Sequence, residues 1–125
     1  MSNETSTHKN INNELSQFTG TEQYYRHLAG YCYTDGVQYL AEKFSCHWLI
    51  TEIMIANYPK MFAEFQVWKL TRVFKEDLPT NAFTLSCEDG DKEPLYLKQI
   101  PFSDFSGDSI EIWFCNDVLY LPSEH

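Results

Sequence analysis

Apolar residues recur along the first half of the chain at helical intervals. Ile11, Leu15 and Phe18 fall one helical turn apart and predict a short amphipathic segment after a polar tail over residues 1–10. Thr19 and Glu22 have the spacing of a capping box, in which hydroxyl and carboxylate each satisfy a free amide at a helix start. That start predicts a helix through Tyr24, Tyr25 and Leu28, stopped at Gly30. Thr34 and Asp35 repeat the start signal, and Val37, Leu40, Ala41 and Phe44 form the buried stripe behind it. Ser45 is a candidate cap for one more helix with Leu49, Ile53 and Ala56 inward and Pro59 beyond its end.

The period changes at Phe65. Aromatic and β-branched residues crowd Phe65 to Phe74, which reads as a long strand with Val67 and Trp68 on opposite faces. Ala82 to Cys87 predicts a second strand, the stretch from Glu88 to Asp91 a turn, and Leu95 to Ile100 a third strand ended by Pro101. After a loop from Phe102 to Ser109, Ile110, Ile112 and Phe114 alternate with Glu111, Trp113 and Cys115. Asn116-Asp117 then suits a tight turn before Val118 to Leu121. These elements predict one α+β domain over residues 11–125, with three to four N-terminal helices packed on one face of a C-terminal antiparallel sheet of about five strands. Its uncovered face would be acidic and in water.

Composition supports a single packed domain. The chain has 125 residues, 43% apolar and 16% aromatic, enough for a core without staples. No apolar run approaches membrane-spanning length and no signal peptide is readable, so a cytoplasmic protein without membrane attachment is expected. Cys32, Cys46, Cys87 and Cys115 are widely spaced and read as reduced, mostly buried thiols.

Charge is unevenly distributed. Residues 1–73 carry seven acids and six bases, whereas residues 74–125 carry eleven acids and three bases. Such a surface repels nucleic acid and attracts basic partners. Glu88, Asp89, Asp91, Glu93, Asp104, Asp108, Glu111 and Asp117 are the candidate partner-binding carboxylates, a distribution that imitates a line of phosphates; the ordinary reading is solubility. Tyr24, Tyr25 and Arg26 form a second candidate patch, with His27, on one helix face.

Catalytic signatures are missing. His27, His47 and the four cysteines lack metal-ligand spacing, and Cys46 and His47, adjacent on a helix, point about 100° apart and make no dyad. Cys32 with His27 remains geometrically possible. Asp35, Asp104 and Glu124 are candidate acids or bases, each with an ordinary structural role available. No phosphate-binding glycine loop and no basic stripe is present. No catalytic residue, cofactor or metal is therefore expected.

The segments FTGTEQYYRH (18–27), YTDGVQYLAE (33–42), HWL..EI (47–53), FQVWKL (65–70), CEDG (87–90), FSDF (102–105) and LPSE (121–124) occur in one order. Together they resemble the family called domain of unknown function 6876. The resemblance implies a small bacterial protein, often carried on mobile elements or phages, and assigns no activity and no site residues. The leading expectation is an acidic binding or inhibitor protein, monomeric or homodimeric, that docks on a basic protein or ribonucleoprotein surface without touching DNA or RNA directly. With a phage setting, this includes an anti-CRISPR-like counter-defence role. The alternative is a small enzyme or ligand-binding domain with an aromatic pocket between helices and sheet, lined by Tyr24, Tyr33, Trp48, Trp68 and Trp113.

Overall fold

The structure, a computed structural model, describes residues 24–26, 30–91 and 93–124. Two strands, β1 (Tyr24–Arg26) and β2 (Cys32–Thr34), precede helices α1 (Asp35–Lys43) and α2 (His47–Ala56). Five strands follow: β3 (Phe65–Lys75), β4 (Leu78–Glu88), β5 (Pro94–Ile100), β6 (Ser109–Cys115) and β7 (Val118–Tyr120), then a 3-10 turn over Pro122–Glu124. All seven strands join one sheet in the order β1-β2-β7-β6-β3-β4-β5. Every pairing is antiparallel except that of β2 with β7, so the sheet is mixed.

This overturns the expected architecture of three to four helices on a five-stranded antiparallel sheet. The described residues hold two short helices and are mostly β. Tyr24 to Arg26 is a strand instead of a helix: Tyr25 lies opposite Tyr33 and stacks on it with ring centroids 5.4 Å apart. Cross-strand aromatic pairing rewards extended backbone there more than helical spacing rewards a coil. The segment expected helical at Ile11 to Phe18, the Thr19/Glu22 box and His27 lie outside the described residues.

The signal at Thr34 was local and survives: its Oγ1 accepts the amide of Val37 at 3.3 Å, with Asp35 in the first turn and Lys43 in the last. Ser45, in contrast, is no cap. It takes a left-handed φ of 59°, and Cys46 occupies the position before α2 without a side-chain cap.

Hairpin turns at Glu76-Asp77 and Asn116-Asp117 have positive φ at both central residues, the conformation whose twist matches paired strands. The first of these lengthens β4 to Leu78, four residues before the expected start.

Register divides the strands into two faces. Trp68 and Leu70 of β3 lie opposite Ile112 and Ile110 of β6, and Leu85 and Cys87 of β4 continue the same rows. These residues, with Phe83, Phe114 and Leu119, form the core beneath Val37, Leu40, Leu49, Ile53 and Met54 of the helices. Fully burying one such side chain contributes about 1.5–3 kcal/mol, so this layer supplies most of the driving force.

The opposite face carries Phe65, Val67, Lys69 and Thr71 of β3 beside Ser109, Glu111, Trp113 and Cys115 of β6. It holds few acids. Trp113 meets Phe65 and Tyr120 edge to face at 5.4 and 6.1 Å and donates its indole N–H to Glu111 at 2.7 Å.

A candidate functional site at one end of the sheet

The eight candidate carboxylates separate along the strand direction. Glu88, Asp89, Asp91 and Glu93 belong to the connection from β4 to β5, and Asp117 to the turn from β6 to β7; both lie where β3 begins. Asp104 and Asp108 lie in the connection from β5 to β6 at the opposite end, roughly 20 Å away for strands of this length. Glu111 points from the uncovered face between them. They therefore do not form one line of phosphate-like charge.

Several are committed to internal contacts. Arg72 is buried, its guanidinium lying 4.6 Å over the Phe83 ring. Its Nε donates to Asp108 at 2.9 Å, and its other nitrogens to the carbonyls of Thr80, Phe105 and Gly107 at 2.6, 2.9 and 2.8 Å. Asp108 is thus neutralised by a cation that also straps down the loop from Phe102 to Ser109. Glu88 pairs with Lys69 at 3.3 Å. Asp89 Oδ1 accepts the amides of Asp91 and Glu93 at 2.8 and 3.1 Å, shaping its own turn. Exposed Asp91, Glu93 and Asp117 remain at this end, joined by exposed Glu64, which the sequence reading left out.

Beside these acids is a cavity of about 680 Å³ lined by Met61 to Phe65 and by Cys115, Asn116 and Asp117. One wall is the segment between α2 and β3, held from behind by buried Asn57 and Gln66. Asn57 donates to the carbonyl of Ile53 at 2.9 Å and accepts from the Phe62 amide at 3.1 Å and from Gln66 at 2.8 Å. Gln66 also donates to the carbonyl of Ala63 and accepts the Trp68 indole N–H, both at 2.9 Å, while the Tyr31 hydroxyl donates to the Asn57 carbonyl. A satisfied polar network of this kind makes a loop rigid. The other wall is the Asn116-Asp117 hairpin. Apolar Met61, Phe62 and Phe65 thus share the lining with Glu64 and Asp117. Nothing in the sequence pattern marks Phe62 and Glu64 as a wall, because they precede the strand that begins at Phe65 and show no period of their own.

Cys115 and Asn116 also border a second cavity of about 290 Å³ on the uncovered face, with Tyr24, Thr34, Val118, Tyr120 and Glu124. Tyr24 enters it from β1, whereas Tyr25 points to the other face against Tyr33. Arg26 donates to the carbonyl of Gly30 at 3.1 Å. The patch expected from Tyr24, Tyr25 and Arg26 is therefore split by strand alternation. The five rings of the expected aromatic pocket are likewise divided, with Trp68 in the core and Trp113 on the uncovered face.

Asp35 and Glu124, distant in sequence, do come together. Glu124 accepts from Thr34 Oγ1 at 2.7 Å, from the Leu121 amide at 2.9 Å and from the Gly36 amide at 3.3 Å. The Gly36 amide also reaches Asp35 Oδ1 at 3.0 Å. A β-carbon at Gly36 would stand 2.8 Å from Glu124 Oε2, so glycine is what lets the carboxyl in. Burial, against the lowering effect of the Leu121, Thr34 and Gly36 donors, and a hydrogen bond with Asp35 hold the Glu124 carboxyl above the usual carboxylate range. The arrangement latches the 3-10 turn onto the start of α1. Asp104 stays exposed in its loop and joins neither.

Burial pushes the Cys46 and Cys87 thiols up to about 12, for Cys87 with help from Glu88, so neither is a nucleophile at neutral pH. His47 is exposed beside buried Cys46. Among the described residues no three His, Cys, Asp or Glu side chains group to hold a metal ion. No described helix is long and apolar enough to cross a membrane.

The chain matches, over residues 9–125, the profile described as Family of unknown function (DUF6876), and it belongs to that family. No curated protein and no solved structure matches it.

Proposed function

We propose that the protein is a binding or inhibitor protein that takes a basic segment of a macromolecular partner at the sheet end formed by Glu64, Asp91, Glu93 and Asp117. One observation carries this reading: exposed Glu64 and Asp117, from two separate connections, line a preformed cavity together with Met61, Phe62 and Phe65, at the sheet end that also carries exposed Asp91 and Glu93. Exposed negative charge steers a basic partner in, and Met61, Phe62 and Phe65 accept an apolar anchor next to it. Aromatic and Met side chains beside charge are the mixture found at the centre of protein interfaces. A nucleic-acid-binding protein or ribonucleoprotein presents such a basic segment, and its occupation would inhibit it. A counter-defence protein of the anti-CRISPR type would act in this way.

The test is affinity capture from the native host at low and high salt, with wild type beside the triple variant Asp91→Asn, Glu93→Gln, Asp117→Asn. Capture of a basic protein by wild type, lost in the variant and in high salt, supports the reading. Capture that neither salt nor neutralisation weakens overturns it.

A further inference from the structure

The strongest unassigned feature lies outside the cavity, along the outer edge of β5. Among the described residues nothing pairs with that edge, and the one register shift of this seven-residue strand falls at its start, between Pro94 and Tyr96. Free strand edges are templates for another strand, and natural proteins guard them with charge, proline or distortion. Here the guards are weak. Pro94 stands only at the first position, and the one charge, Lys98, is already matched by Glu52 at 2.9 Å. The rest of the strand, Leu95, Tyr96, Leu97, Gln99 and Ile100, is uncharged. Leu97 points to the uncovered face, 69% exposed.

Helix α2 runs over the other side of this edge. Trp48 donates to Ser103 at 3.0 Å, and Glu52 accepts from Tyr96 and Lys98, both at 2.9 Å, so the helix is antiparallel to β5. Ile55 lies on that same helical face, one turn beyond Glu52, and is 62% exposed. Apolar side chains therefore flank the open edge both above and below the sheet.

We propose that β5 is the dimer interface of the protein, pairing antiparallel with β5 of a second copy about a two-fold axis through Leu97, so that the two sheets become one. The sequence is self-complementary in that register. Leu97 faces Leu97 of the second copy, and Tyr96 faces Lys98, which brings each ammonium beside the Glu52–Tyr96 pair of the other chain. Such an axis is perpendicular to the sheet and keeps matching faces together, so the register can slip only in steps that preserve face. Centring on Lys98 would set two ammonium groups opposite each other, and centring on Tyr96 would drop Gln99 and Ile100 from the ladder. A closed two-fold contact uses up both edges and stops there. Because the copies run antiparallel, the two cavities lie at opposite ends of the seam, and the dimer does not require the binding proposed above.

The test is light scattering during gel filtration of the full chain over a range of concentrations. Wild type is expected to have the mass of two chains. Leu97→Lys and Leu97→Asp each place like charges opposite each other at the axis and should weaken association about tenfold or more, giving single chains with unchanged circular dichroism. Mixing the two variants sets Lys against Asp and should restore the dimer. A wild type that stays a single chain at its highest soluble concentration overturns the proposal. So does a dimer that survives both substitutions, or a mixture that stays monomeric.

Discussion

The two ends of the sheet carry the same residue types and use them differently. At the end where β5 leads into β6, Asp108 is held by Arg72, and the guanidinium spends its remaining donors on three carbonyls of the surrounding chain. At the end where β4 leads into β5, Lys69 pairs with Glu88, and Asp91, Glu93, Asp117 and Glu64 stay exposed. A carboxylate held by a buried cation is part of the fold, whereas one left exposed is a field presented to other molecules. Net charge says nothing about which of these an acid is.

The sharpest way to break the contrast is Arg72→Met. It strips the partner from Asp108 and leaves the carbonyls of Phe105 and Gly107 unsatisfied, so unfolding free energy should fall by about 3–5 kcal/mol in urea titration. A fall below 1 kcal/mol would place Arg72 among ordinary surface pairs. Next in size is Asn57→Ala, which removes the centre of the network behind the cavity. A loss of about 2 kcal/mol is expected, with faster amide exchange confined to residues 57–66. Uniformly faster exchange would mean that the network supports the whole fold and not this wall.

Glu124 adds a pH-dependent element between the two ends. Its folded pKa is raised above the ordinary value of 4.5, so the folded state holds the proton more tightly than the unfolded chain does. The stability this contributes is complete below the ordinary value and is lost as pH rises through the raised one. Glu124→Gln should remove that decline, seen as a flatter dependence of thermal midpoint on pH just above 4.5. An unchanged slope would show that the latch does not titrate with folding. The smallest expected effect is that of Asp91→Asn, Glu93→Gln, Asp117→Asn, whose stability should stay within about 0.5 kcal/mol of wild type at each site. A larger change would mean that these acids are structural, like Asp108.

Much of the fold was legible where the signal is local. The Thr34 cap needs only an amide three residues on, and the alternation of Ile110, Ile112 and Phe114 needs only a two-residue period. Strands β3 and β6 were readable for that reason, as was the Asn116-Asp117 turn. The three-residue strands β1 and β2 were not, because so few residues cannot display a period. Their extended form also depends on β7, which arrives from the other end of the chain. The candidate site was half legible: the acids of the β4–β5 turn stood out, but Glu64 and its aromatic neighbours gave no sign of lining a cavity.

By itself, then, the sequence determined which segments favour helix or strand, where turns and one cap fall, and how much negative charge the later half carries. Those properties arise from residues within a few positions of one another. Tertiary structure alone decided that Asp108 is neutralised by Arg72, that Glu124 reaches Asp35, and that the acids divide between two ends. Each depends on strand order and register, which are chosen by burial of the whole core and not by any neighbouring residue.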